Sequence, residues 1–188
     1  MKIELDPKHS LDKAEGFIKA FGHAGKAGTA RALNRAAQGV KTDAARETRK
    51  EYKIKARDIR DSLRISRATP NKLQAMALGS GNRIPLVKFG ARPAQPGGRR
   101  PAKGISVHVK SRKILKGSFV ARTRSGHVGV FTRKGKASLP IEEKFGPAVP
   151  EMIGNPDVLE RMTQGAKERF EKNLDHEINR SLEKLGVR

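Results

Sequence analysis

Between Asp61 and Glu142 the chain carries no carboxylate: the 80 residues 62–141 hold 18 Lys and Arg and neither Asp nor Glu. Of a net charge of +22 over 188 residues, +18 therefore lies in the middle and only +4 on the two flanks together. A segment like this cannot neutralise itself with internal salt bridges. Its self-repulsion opposes compaction unless an anion, an acidic partner or a neighbouring copy screens it. Basic loops that serve solubility are the bland alternative. The unbroken length of the acid-free run favours proximity to a polyanion. Aromatics make up 4% with no Trp, so the core must be built mainly from Leu, Ile, Val and Ala. The absence of Cys excludes disulfides and thiolate metal sites. No apolar run approaches the roughly 20 residues that span a bilayer, and MKIELDPKH lacks the apolar stretch of a signal peptide. No membrane partner is expected.

Periodicity divides the chain into helical ends and a β-rich centre. Residues 2–6 alternate like a short strand, and Ser10 is placed to cap a helix carrying Leu11, Ala14, Phe17, Ile18 and Phe21. Three Gly between Gly22 and Gly28 predict a break, after which Thr29 caps a helix reaching Tyr52. In it Ala30, Leu33, Ala37, Val40 and Ala44 form one stripe. A shorter helix is expected from Lys55 to Leu63. Strands are expected over 64–68, 73–78, 84–89, 105–109, 117–122 and 127–133, with 90–104 a flexible basic Pro/Gly-rich loop unable to form a ladder. Residues 110–116 read as a second basic loop, and Ser138–Pro150 as irregular chain punctuated by Pro. The last helix is the clearest. Asn155 caps it, Pro156 and Asp157 suit its first turn, and Gly186 stops it. Its apolar stripe runs Leu159, Met162, Ala166, Phe170, Leu174, Ile178, Leu182 and Leu185, with Glu168 and Lys172 as an exposed pair. At ~1.5 Å per residue the rod is about 45 Å long and needs a partner, the first long helix or a neighbouring subunit.

The expected fold class is α+β: long N- and C-terminal helices packed on a basic antiparallel β-sheet with long loops. It forms one domain, with a helical part at 1–63, a basic sheet at 64–150 and a terminal helix at 155–186.

Catalytic chemistry is not legible. The five His have no partners at metal-ligand spacing; His108 and His127 read as ordinary strand residues that face each other across the sheet at most. The adjacent Glu142 and Glu143 point to opposite sides of an extended segment. No catalytic, cofactor-binding or metal-binding residue is assigned, and an enzyme is not expected. Arg99, Arg100, Lys103, Lys110, Arg112, Lys113 and Lys116 are candidates for non-specific, salt-sensitive contacts to DNA or an acidic partner.

Three stretches carry a resemblance. They are ARALNRAAQGVKTDAARETRKEY (30–52) followed by IKARDIRDSLRI, then RIPLVKFGAR (83–92), then HVGVFTRKGKASLPIEEKFGPAVPEMI (127–153). In this order they resemble the phage minor tail protein Z family, related to tail-completion proteins of the head–tail joining region. The third is the most telling, because Pro140, Ile141, Phe145, Gly146, Pro147 and Pro150 are awkward residues at fixed places and form a candidate assembly or structural motif. The resemblance implies a structural virion protein without a catalytic site, made in the host cytoplasm and located in the tail or neck. It implies a homo-oligomeric ring, a hexamer being one option, that touches other neck and tail proteins and has genomic DNA in its lumen. A stand-alone basic nucleic-acid-binding protein, architectural or ribosome-like, is the alternative from another class.

Overall fold

The computed structural model describes residues 8–97 and 103–186, with side chains from residue 11 onward. The expected strand at 2–6, and Arg99 and Arg100, lie outside the described residues. The architecture is α+β. Helix α1 (Lys8–Glu51) and helix α4 (Pro156–Lys184) lie antiparallel against each other, as the ion pairs Glu47–Arg161, Asp43–Arg169 and Arg31–Glu177 show. The partner of the long terminal helix is therefore α1 of the same chain.

The expected break occurs, but it is confined to Gly22 in helix α1. Only Gly22 leaves helical geometry (φ 54, ψ −123), a conformation open to Gly because it has no Cβ. Residues 23–28 are helical, and Ser10 lies inside the helix, so it is not its cap. At Gly22 the chain folds back and residues 11–21 pack on the next turns. A Cβ on Gly25 would meet the backbone of Phe17, and one on Gly28 its ring. These glycines are thus small to seat an arm, not flexible. Thr29 does not cap either; its hydroxyl donates to the carbonyl of Gly25 one turn back (2.9 Å). The arm buries Ala14 and Phe17 in a cluster with Ala32, Ala36, Phe170 and Leu174. Lys13 pairs with Asp175 outside it. Burying Phe17 contributes roughly 2–3 kcal/mol.

Helix α4 begins as expected, with the Asn155 side chain accepting from the amide of Asp157 (3.2 Å) and Pro156 in the first turn. Its buried stripe is Val158, Met162, Ala166, Phe170, Leu174 and Glu177. Leu159 is only half-buried and Leu185 is 67% exposed, because α4 outruns the surface it packs on. Glu168 accepts a hydrogen bond from Gln164 (2.8 Å) in place of the expected partner Lys172.

The single expected sheet is four small antiparallel ones. After α2 (Ala56–Asp61), β1 (Leu63–Ser66) pairs with β2 (Met76–Gly79). Strand β3 (Arg83–Pro85) leads into a 3-10 turn at Leu86–Lys88, where extended chain was expected, and pairs with β9 (Phe145–Ala148). Strand β4 (Ile105–His108) pairs with β5 (Arg112–Leu115), so residues 110–116 form a hairpin and not a loop. Strands β6 (Ser118–Arg122), β7 (Val128–Arg133) and β8 (Ile141–Glu143) form a three-stranded sheet. Most of Ser138–Pro150, expected to be irregular, is therefore β8, β9 and the start of α3 (Val149–Ile153). The start of the 90–104 segment is ladder-bonded after all. The amide of Arg92 donates to Ser106 (2.8 Å) and that of Ser106 to Arg92 (3.2 Å), and Ala91 is buried.

One core joins these pieces. Val40, Ala44, Ile59, Phe89, Ile105, Val130, Met152 and Met162 belong to a continuous buried cluster spanning α1, the sheets, α3 and α4. Two polar side chains tie backbone segments into it. Asn34 of α1 donates to and accepts from the backbone of Ala68 (2.9 and 2.8 Å). Buried Ser118 accepts from the amide of Ile105 (3.0 Å) and donates to the carbonyl of Leu115 (2.5 Å).

Candidate functional site

The acids and bases of this chain are sorted by the fold. The flanking carboxylates are drawn into the α1–α4 interface. Asp43, 1% exposed, receives both terminal nitrogens of Arg169 (2.6 and 3.2 Å) and is also paired with Arg46. Glu47 takes Arg161 (2.9 Å), Arg46 (2.8 Å) and Lys50 (2.6 Å). Glu177, fully buried, takes Arg31 (2.6 Å) on one oxygen, while the other faces Arg35 at 3.1 Å as an ion pair without hydrogen-bond alignment. Burial pushes the Glu47 carboxyl up, but the hydrogen bonds from Lys50 and Arg46 and their charges outweigh it and hold it at about 2. The same contest, with Arg31 as the main opposing partner, lowers Glu177. Gly39 leaves room for the Arg169–Asp43 pair, and Gly165 lies against it. A Cβ on Gly39 would occupy the place of the Arg169 guanidinium, and one on Gly165 would touch the Asp43 carboxylate.

The acid-free centre has no such counterweight. Among the described Lys and Arg of 62–141, Lys88 alone is in a salt bridge, with Asp58 (2.7 Å). Lys103, Lys110, Arg112, Lys113 and Lys116 are all exposed and surround the β4–β5 hairpin. They do not form one flat patch. Arg112 shares a face with Ser106, to which it donates (3.1 Å), whereas Lys113 lies on the opposite face with Val107. Lys110 sits over the ring of Tyr52, 5.2 Å from its centre. The positive charge is thus spread around a protruding two-stranded ribbon.

The awkward residues of 140–150 are placed by backbone needs. The carbonyl of Pro140 accepts from Lys134 (3.2 Å), and Ile141 opens β8 opposite Arg133. Phe145 stands opposite Pro85, half-exposed. Gly146 is buried, with the Phe89 ring 2.6 Å from where a Cβ would stand. Pro147 lies in edge strand β9, where a missing amide is tolerated, and Pro150 in the first turn of α3. Glu151 closes that turn by accepting from the amide of Ala148 (3.1 Å).

Phe145 and Gly146 also face the hairpin. Between them lies an open groove of about 390 Å³, lined by Tyr52, Leu86, Val107, Lys113, Leu115 and Phe145 among others. No carboxylate lines it. His108 and His127 do not face each other: His127 meets Glu143 through Nε2 (2.7 Å), while His108 sits in a different sheet. Sequence spacing had hidden that pair, as it had the groove.

No helix among the described residues is long and apolar enough to cross a membrane. The family model of prophage minor tail protein Z (GPZ) matches residues 22–187, nearly the whole chain, and the chain belongs to that family of structural phage tail proteins. No curated protein and no solved structure matches it.

Proposed function

We propose that this tail protein acts without enzymatic chemistry at the head-proximal end of the tail, completing it and joining it to the head. Several copies form a ring around the DNA path. The observation that carries this reading is the sorting of charge: carboxylates spent in pairs between α1 and α4, bases left unpaired around the β4–β5 hairpin. In a ring, hairpins from successive copies would line a positive lumen and meet phosphate without reading sequence. Lys103, Arg112 and Lys116 are the described residues assigned to DNA, with Arg99 and Arg100 of the intervening segment. The motif from Pro140 to Pro150 holds β8, β9 and α3 in place and so aims the hairpin.

The test replaces Lys103, Arg112 and Lys116 by Ser and counts joined, infectious particles alongside free heads and free tails. The reading expects tails to form, heads to fill and joining or DNA delivery to fall. Undiminished infectious yield removes these residues from the mechanism.

A further inference from the structure

The β4–β5 hairpin has one open edge. The amides of Ser106 and His108 are bonded on the far side of β4, to Arg92 (3.2 Å) and Phe89 (2.8 Å). In an antiparallel pair hydrogen-bonding direction alternates, so Val107 turns its amide toward β5, and Ile105 turns its own the same way, to the Ser118 hydroxyl that is bonded to Leu115. Their partners Leu115 and Lys113 turn inward to meet them. Arg112 and Ile114 therefore aim their N–H and C=O groups outward, where no described strand pairs with them. The Ile114 side chain is 53% exposed on this edge.

Beside that edge lies the groove. Val107, Leu115, Leu86 and Tyr52 give it an apolar floor, Phe145 an apolar wall, and Lys110 and Lys113 a positive rim. Exposed apolar area next to an unpaired strand edge is the arrangement that accepts an added strand: main-chain bonds supply affinity, and alternate side chains enter the groove. Phosphate is the poorer occupant, since a mainly apolar floor gains nothing from it, whereas an added strand sets apolar side chains over the floor on one face and, on its other face, carboxylates beside Arg112.

We propose that β5 and this groove bind an extended segment of another tail protein, one carrying carboxylates interleaved with apolar side chains. It adds to the edge at Arg112–Leu115 as a further strand. This rests on the tail-protein family but not on the ring or on DNA contact.

Tyr52 lines the groove and is the sole Tyr in a chain without Trp, so its emission reports occupancy. The probe is a blocked peptide of about ten alternating Val and Glu residues, long enough to add as a strand; a Val/Lys peptide and inorganic polyphosphate serve as controls. The expected result is a saturable change in Tyr52 emission with the Val/Glu peptide alone. Two variants should weaken it at least about tenfold: Arg112→Glu, which reverses the charge on the face that the carboxylates share, and Ile114→Pro, which removes an outward N–H that the fold does not use. Circular dichroism should show both variants folded. No saturable response to the Val/Glu peptide, or binding untouched by Ile114→Pro in a folded variant, overturns the proposal. Saturation by polyphosphate with none by the peptide overturns it too, and assigns the groove to phosphate, leaving the ring reading intact.

Discussion

Truncating Arg169 tests how α1 and α4 are held together. Asp43 is 1% exposed and Arg169 is 33% exposed, so the two partners are not equivalent. Arg169→Leu leaves a buried carboxylate with only Arg46, itself 61% exposed, at 3.2 Å. Breaking a buried pair from the charged side typically costs about 3–5 kcal/mol; the remaining Arg46 and partial solvent access reduce the expectation to roughly 2–3 kcal/mol. Asp43→Leu leaves an arginine that can swing into water, so it should cost less, about 1 kcal/mol. The double variant removes both charges from the interface and should be no worse than Arg169→Leu alone, giving a coupling energy of about 1–2 kcal/mol. Urea unfolding followed by circular dichroism measures all four proteins, and calorimetry should show Arg169→Leu melting roughly 5–10 °C lower. Equal single costs that simply add, or a loss below about 0.5 kcal/mol for Arg169→Leu, would refute the claim that a buried carboxylate is held by that guanidinium.

Other consequences are open to measurement. Gly39→Ala should mimic much of the Arg169→Leu loss, since its Cβ takes the guanidinium's place; a wild-type unfolding midpoint would contradict it. Gly146→Ala pushes on the fully buried Phe89 ring and should cost about 1–3 kcal/mol, read in the same urea assay. Gly22→Ala forces a side chain into φ 54, ψ −123, costing about 1–3 kcal/mol or releasing the arm; limited proteolysis within residues 11–21 should speed up, and unchanged cleavage would show that the arm is not held by this turn. Glu47 titrates at about 2 in the folded chain against an ordinary 4.5, so its contribution is complete above pH 4.5 and is lost as pH falls through about 2. The drop is worth about 3 kcal/mol at full strength, and roughly 1–2 once its half-exposed partners Arg46 and Lys50 are screened by water. Glu47→Gln should therefore flatten the acid limb of the stability curve between pH 4.5 and 2.

The parts of the fold readable in the sequence are those set by local chemistry. Asn155, Pro156, Asp157 and the stripe from Met162 to Leu174 specify α4 within one stretch of chain. The turn glycines and the β6–β7 hairpin follow the same logic. What was hidden depends on distant partners. Gly25 and Gly28 read as part of a break because small size for packing and freedom for bending share one residue type. The segment RKIL read as a solvated loop because β5 is an edge strand, where Arg and Lys are common. Strand β9 carries Pro147, a residue that argues against a strand except at an edge. Asp43, Glu47 and Glu177 look like ordinary exposed helix positions until α4 is laid on α1, since their partners lie 114 to 146 residues away. The candidate bases were visible as residues, but their arrangement around a hairpin and beside an apolar groove needed the pairing of β4 with β5.

A reconstruction of the intact particle around the junction of head and tail weighs the whole account at once. The account predicts several copies of this chain in a ring there, with α1 and α4 forming the body and the β4–β5 hairpins turned toward the DNA path. A single copy, a position remote from the head, or hairpins facing the outside of the tail would contradict it.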